Sequence, residues 1–285
     1  MKKLSFVLAV LVWSIFLPAC GGGGSGSSST SSSGSISVAI TDAKPVLPTG
    51  TSHVFVVIDE VSVHSSGGGW TSLPLTQSPF TIDLLQFSNG QTTRLVPQAT
   101  LAPGHYTQIR LGVQSATLVT GTGQQFPVQI PSGDLKTDKN FDFDVTGGGS
   151  VALTVDFDLS QSLVATGSGN YILKPVLHIV ATAEAATITG SISDATYGTE
   201  TQATIVVTLD NDNSGTITAG DEEYTRLVVD KGTSDPTAFS IFWLVPGQSY
   251  IVQVEIAGSV VYTQAVAGTG IPAGAVYTLN SGNPI

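Results

Sequence analysis

Alternation with a period of two is what most limits the architectures open to this chain. Ile36, Val38 and Ile40 alternate with Ser37, Ala39 and Thr41, and Tyr106, Gln108 and Arg110 alternate with Thr107, Ile109 and Leu111. Val151, Leu153, Val155, Phe157 and Leu159 fall on one face, and residues 54–63 form a β-branched run. Successive side chains of a strand point to opposite faces, so such segments build sheets with one face inside. Gly67-Gly68-Gly69, Ser88-Asn89-Gly90, Pro103-Gly104, Pro131-Ser132-Gly133 and Gly147-Gly148-Gly149 punctuate the runs with turn chemistry. No long stripe at i, i+3, i+4, i+7 is present. At most one short helix is expected, near 83–85 or in 159–163. The pattern predicts an all-β chain of sandwich type.

About 250 residues follow the N-terminal segments, which is long for one sandwich, so two domains are expected. The boundary falls near 181–187, where ATAEAAT loses the alternation, giving domains 36–182 and 186–285. Strands of the second domain are expected near 187–193, 203–209, 224–229, 239–243, 249–256, 260–266 and 275–279. A weak echo links the halves: Leu101-Ala-Pro-Gly-His-Tyr106 and Leu244-Val-Pro-Gly-Gln-Ser-Tyr250 share a Leu-x-Pro-Gly turn leading to a tyrosine. It resembles a turn of transthyretin-like and carboxypeptidase-regulatory-like sandwiches; plain Pro-Gly turn chemistry accounts for it equally well.

The N-terminus reads as an export signal, residues 1–19. Lys2 and Lys3 precede an apolar run over 4–16 that is too short to span a bilayer. Leu17-Pro18-Ala19-Cys20 resembles the lipobox of bacterial lipoproteins. That resemblance implies cleavage before Cys20 and a diacylglycerol on its thiol. Cys20 is the only cysteine, so no intrachain disulfide is available. Residues 21–35, GGGGSGSSSTSSSGS, complete a 20–35 tether that averages roughly 20 Å end to end. Gly21 stands where Asp resembles the inner-membrane retention signal, which favours the outer membrane. No later segment is apolar enough to cross a membrane as a helix. The formal charge is −11, and removing Lys2 and Lys3 with the leader leaves −13. Such a balance argues against nucleic acid and anionic head groups as partners and suits a surface protein or a binder of cations.

Six ordered segments are similar to a family of bacterial lipoprotein domains known as domain of unknown function 4382. They are Ile40-Thr41-Asp42-Ala43; Ile82-Asp83-Leu84-Leu85 with Asn89-Gly90; Pro103-Gly104-His105-Tyr106 with Gln108-Ile109-Arg110-Leu111; Ile130-Pro131-Ser132-Gly133; Val155-Asp156-Phe157-Asp158 with Ser162-Leu163-Val164; and Tyr171-Ile172-Leu173-Lys174-Pro175-Val176. The resemblance covers 36–180 and implies an exported lipoprotein module with no settled activity.

The chain lacks a Gly-x-Ser-x-Gly elbow, a phosphate loop and His-Glu-x-x-His. His53, His64, His105 and His178 are not spaced as a metal pair. Asp142 and Asp144 alternate with Phe141, Phe143 and Val145, and Asp156 and Asp158 alternate with Val155, Phe157 and Leu159. Thr146 to Ser150 would join the two runs as a hairpin and crowd four carboxylates on one face. A solvated outer face, a cation site and a glycosidase carboxylate pair all fit that pattern, though nothing in the sequence supplies a sugar cleft.

The strongest local motif is Asp210-Asn-Asp-Asn-Ser-Gly-Thr-Ile-Thr-Ala-Gly-Asp221. It resembles the EF-hand and dockerin calcium loop. Asp210, Asp212 and Ser214 take positions one, three and five, and Gly215 takes the sharp turn at six. Thr216 offers its carbonyl at seven, Ile217 packs inward at eight, Thr218 stands at nine and Asp221 closes at twelve. Oxygen donors at this spacing suit Ca²⁺. Two departures stand out. Position twelve is Asp, where EF-hands use a bidentate Glu, and the flanks read as strands. The alternative is a metal-free Asn/Asp/Gly turn. The leading functional expectation is a non-catalytic envelope lipoprotein, anchored to a membrane by lipid, whose β-sandwiches bind a glycan or envelope protein and are stiffened by calcium. The alternative is a hydrolase acting on a cell-envelope polymer.

Overall fold

The computed structural model describes residues 32–131, 134–136, 141–167, 169–266 and 268–285, with 134–136 described by backbone alone. The leader, Cys20 and the tether up to residue 31 lie outside them. The described residues of 32–285 belong to one compact unit whose regular structure is almost entirely strand.

Among the described residues two pairs of sheets make the body, and no sheet mixes strands from before and after residue 182; a single bridge joins Pro45 to Leu227. In the first pair, a four-stranded sheet runs Leu177–Ala181, Ser150–Phe157, Gly34–Thr41, Thr93–Leu101, with the middle two strands parallel. The facing sheet is organised around two long antiparallel strands, Thr51–Ser65 and Gly104–Thr120. Their inward residues, Val54, Val56 and Ile58 against Ile109, Leu111 and Leu118, are fully buried together with Ile36, Val38 and Ile40 of the first sheet. In the second pair, Thr237–Leu244, Ala186–Ile192 and Val276–Thr278 form one sheet; Glu222–Asp230, Gln202–Leu209, Tyr250–Ile256 and Ser259–Val266 form the other. Ile188, Ile205, Val207, Val252 and Val254 fill a separate core. All seven strands expected in this half are present, with no end displaced by more than two residues. Helix is slightly richer than expected. Short helical turns occur at both named places, Leu84–Gln86 and Leu159–Ser162, and also at Asp194–Tyr197 and Leu279–Gly282. The last α-turn forms because Ser193 caps it, accepting the Thr196 N–H.

The echoed turns are fastened in the same way, by a tyrosine hydroxyl on a backbone carbonyl. Tyr106 is buried and donates its hydroxyl to the Ala102 carbonyl at 2.9 Å; buried Tyr250 donates to the Val245 carbonyl at 2.9 Å. In both, the acceptor is the residue after the leucine. Gly247 has φ +79, so the turn needs glycine there. Each sandwich thus fastens one corner with a tyrosine.

The cores meet along a polar seam. The Val228 N–H donates to the Lys44 carbonyl, Ser160 Oγ to the Arg226 carbonyl, and Gln161 Nε2 to the Tyr224 carbonyl. His178 stacks on Tyr224 with ring centres 3.9 Å apart, and Lys44 pairs with Asp230. Gly90 lies so close to Phe242 that a Cβ there would stand 3.0 Å from the ring.

Candidate metal centre and the seam beside it

The 210–221 loop joins Gln202–Leu209 to Glu222–Asp230, adjacent antiparallel strands, so it is a hairpin tip beyond the sheet edge. Its acids fold it inward. Asp210, almost fully buried, accepts the Ser214 N–H on Oδ1 and the Gly215 N–H on Oδ2, at 2.9 and 3.0 Å. Gly215 has φ +72, the left-handed turn expected at that position. Asp221 accepts the Asn211 N–H on one oxygen and the Thr218 N–H on the other, closing the loop. The result brings one carboxylate oxygen each from Asp210, Asp212 and Asp221 within 4.8 Å of one another. Ligands at about 2.3–2.6 Å from one Ca²⁺ can be no farther apart than roughly 5 Å, so the three fit a single ion. The hydroxyls are otherwise engaged. Ser214 Oγ donates to the Thr216 carbonyl at 2.8 Å, and Thr218 Oγ1 donates to Asp221 at 3.1 Å and Asp212 at 3.3 Å. A bound ion would take those carboxylate oxygens from Thr218. Hydrogen bonding from Ser214 holds the Asp212 carboxyl below its usual range, so it is ionised and ready for a cation. Ile217 does not pack inward: it is 47% exposed, because the tip projects past the sheet and has no partner loop to cover position eight.

The four-carboxylate cluster expected from Asp142, Asp144, Asp156 and Asp158 does not form. The strand Phe143–Val145 pairs with Gly104–Thr120 in one sheet, whereas Ser150–Phe157 sits between Gly34–Thr41 and Leu177–Ala181 in the other. The Gly-rich turn therefore crosses between layers and makes no hairpin. Asp142 and Asp144 are exposed around His105, whose Nδ1 lies 3.0 Å from Asp144 and Nε2 3.5 Å from Asp142. Asp156 and Asp158 are buried, because the second sandwich packs on that face of the first.

Asp42, which lies outside both acidic alternations, joins them. Asp42 ends the first strand, where Thr41 Oγ1 donates to the carbonyls of Phe87 and Gln91 and fixes the turn. Asp42 Oδ1 accepts the Leu159 N–H at 3.4 Å. Asp158 caps the turn Leu159–Ser162, Oδ1 accepting the Gln161 N–H and Oδ2 its side-chain amide. Burial first, and then the neighbouring acids, push Asp42 and Asp156 well above the usual carboxylate range. Asp158 is raised by burial too, opposed by the nearby Thr225 hydroxyl, by hydrogen bonds from Gln161 and by His178. The sequence signal for Asp42 was slight: a Thr-Asp pair where an apolar alternation stops.

Along the seam lies a cleft of about 460 Å³. Tyr224, His178 and Phe141 give it aromatic walls, and Gln161, Asn211 and Gln248 give it amides. Leu209, Asn211 and Glu222 are at once its lining and the stem of the acidic loop. The other histidines are scattered: His53 contacts Asp83 at 2.7 Å, and His64 packs edge-on against Trp70.

The model of the family described as Domain of unknown function (DUF4382) matches residues 33–175, half of the chain. The protein belongs to that family. No curated protein matches the sequence. Among solved structures, a candidate cell adhesion protein from Bacteroides ovatus is 10% identical with a TM-score of 0.24, over 87% of this chain and 92% of its own. A candidate adhesin from the same species is 10% identical, TM-score 0.21, over 81% and 75%. The Bacillus anthracis TIE protein is 9% identical, TM-score 0.21, over 87% of this chain; this chain spans 33% of its length. At these scores the likenesses carry no functional argument.

Proposed function

We propose that this protein is a non-catalytic envelope lipoprotein, held by lipid on Cys20 and a 20–35 tether at the outer membrane, whose paired sandwiches bind an envelope glycan or protein. Calcium in the 210–221 loop stiffens the binding body. The observation that carries the reading is the convergence of Asp210, Asp212 and Asp221 at a hairpin whose stem is also a wall of the seam cleft. An ion there would fix the stem, and with it Asn211 and Glu222 at the cleft. Aromatic faces among amides suit a polar ligand with apolar patches, as sugars present.

Calcium that binds the folded state alone stabilises it by RT ln(1 + [Ca²⁺]/Kd), about 2.7 kcal/mol at a hundredfold excess over Kd. Calorimetric titration and thermal melts of the full chain, with calcium and with EDTA, test this. Binding heat and a higher melt in calcium are expected, both reduced by Asp210→Asn with Asp212→Asn. Undiminished binding by that double variant would sink the loop assignment. For the anchor, Cys20→Ala is expected to leave the protein unlipidated and to release it from membranes, since acyl burial contributes about 0.8 kcal/mol per CH₂. A variant that still sediments with membranes in high salt would contradict it.

A further inference from the structure

We propose that the seam between the two sandwiches binds a calcium ion of its own, with Asp42 and Asp156 as its carboxylate ligands. This stands independently of the 210–221 loop. Asp42 is 2% exposed and Asp156 5% exposed, and each presents an oxygen, Asp42 Oδ2 and Asp156 Oδ1, with no hydrogen-bond partner. Both residues line one small cavity of about 20 Å³. That is room for a single water-sized particle, and therefore for one bare ion.

Charge decides between those occupants. Two buried carboxylates with no counter-charge are costly. The cations nearby serve other acids: Lys44 pairs with Asp230, Arg226 with Glu223 and Glu255, and His178 acts on Asp158. Asp158 spends both its oxygens on Gln161. Protonating either acid would lift its charge without giving Asp42 Oδ2 or Asp156 Oδ1 a partner from the rest of the protein. An ion in the cavity satisfies both at once. Its donors would all be oxygen, the preference of calcium, and Thr225 and Ser240 of the second sandwich bring hydroxyls to the same wall. Asp42 and Asp156 belong to the first sandwich, so the ion would fasten one to the other.

The test uses the full chain carrying Asp210→Asn and Asp212→Asn, so that the loop is silent whatever its own role. Expected are one calcium retained per chain after dialysis, measured by atomic emission, and a melt several degrees higher in calcium than in EDTA. Adding Asp42→Asn and Asp156→Asn should abolish both and raise the melt in EDTA, because the uncompensated charges are gone. A loop-silenced chain that retains no calcium, with a water in the cavity instead, would overturn the proposal. So would equal retention by the fourfold variant. Should the fourfold variant not fold, terbium reports on the loop-silenced chain. Trp243 lines the cavity, so tryptophan-excited terbium emission should appear, be displaced by calcium, and vanish in Trp243→Phe. Emission indifferent to Trp243→Phe would place the ion elsewhere.

Discussion

Asp212 and Asp156 carry the same carboxyl group in opposite surroundings. Asp212 stands in a solvated hairpin tip, where hydrogen bonds from Ser214 favour its charge. Asp156 lies between two β-sandwiches, where burial and then the neighbouring Asp158 disfavour its charge. The loop gathers its acids through contacts four or five residues apart, from Asp210 to Ser214 and Gly215. The seam gathers acids 114 residues apart, because Gly34–Thr41 and Ser150–Phe157 pair in parallel and bring Thr41 opposite Asp156. Local hydrogen bonds make a site that tolerates its own repulsion. Long-range packing makes one that depends on its cover.

The harshest way to break this comparison is to remove the cover. Fragments 36–182 and 186–285 each contain a complete core and are expected to unfold cooperatively when expressed separately. The first fragment should melt well below the whole chain, because its seam loses Tyr224, Leu227 and the partners of Ser160 and Gln161. In solvent its acids should then tolerate their charges as Asp212 does. Loss of cooperative unfolding in both fragments would mean one interlocked core.

A narrower cut compares single acids. Asp158→Ala removes a cap and leaves the part-buried Gln161 N–H without its partner, which together cost about 2 kcal/mol after the relief of repulsion with its neighbours. Asp212→Ala, at the exposed tip, should leave the calcium-free melt where it is and lower only the response to calcium. Denaturant titration of both variants in EDTA checks the contrast. Equal losses would mean that the loop is already load-sharing with the core without metal.

How much of this was readable beforehand follows from the same distinction. The gathering of Asp210, Asp212 and Asp221 was legible by spacing, since their contacts are local. The strands of the second half were legible by alternation, and the Leu-x-Pro-Gly echo proved to be two tyrosine-fastened corners. The hairpin drawn through Gly147 to Gly149 was wrong because a glycine-rich turn serves equally well for crossing between sheets, and only pairing partners decide. Asp156 and Asp158 looked like a solvated face because alternation says which residues share a face, not what covers it. The cover here is the second sandwich. Asp42 stood in a family-like segment, but its companions Asp156 and Asp158 lie more than 110 positions away, and only the parallel pairing of the strands brings them near.

The smallest expected effect concerns the rim of the seam, where Lys44 of the first sandwich pairs with Asp230 of the second. The Lys44 hydrogen bond, helped by Gln202, holds Asp230 below its usual value against a modest opposing effect of burial. The sign follows from linkage. A carboxyl depressed in the folded state contributes stability that is complete above the unfolded value and is lost as pH falls through the folded one. The Asp230 side chain is 54% exposed, however, so solvent screens the pair and the contribution should be only about 0.5 kcal/mol. Lys44→Met should therefore lower the unfolding free energy by about that amount at neutral pH and low salt. The difference should shrink toward zero near pH 2 and in about 1 M salt, where the Debye length falls to about 3 Å. Urea titrations of both proteins under the three conditions measure it. A deficit that survives both acid and salt would show that Lys44 acts through its aliphatic stem packed on the seam rather than through its charge.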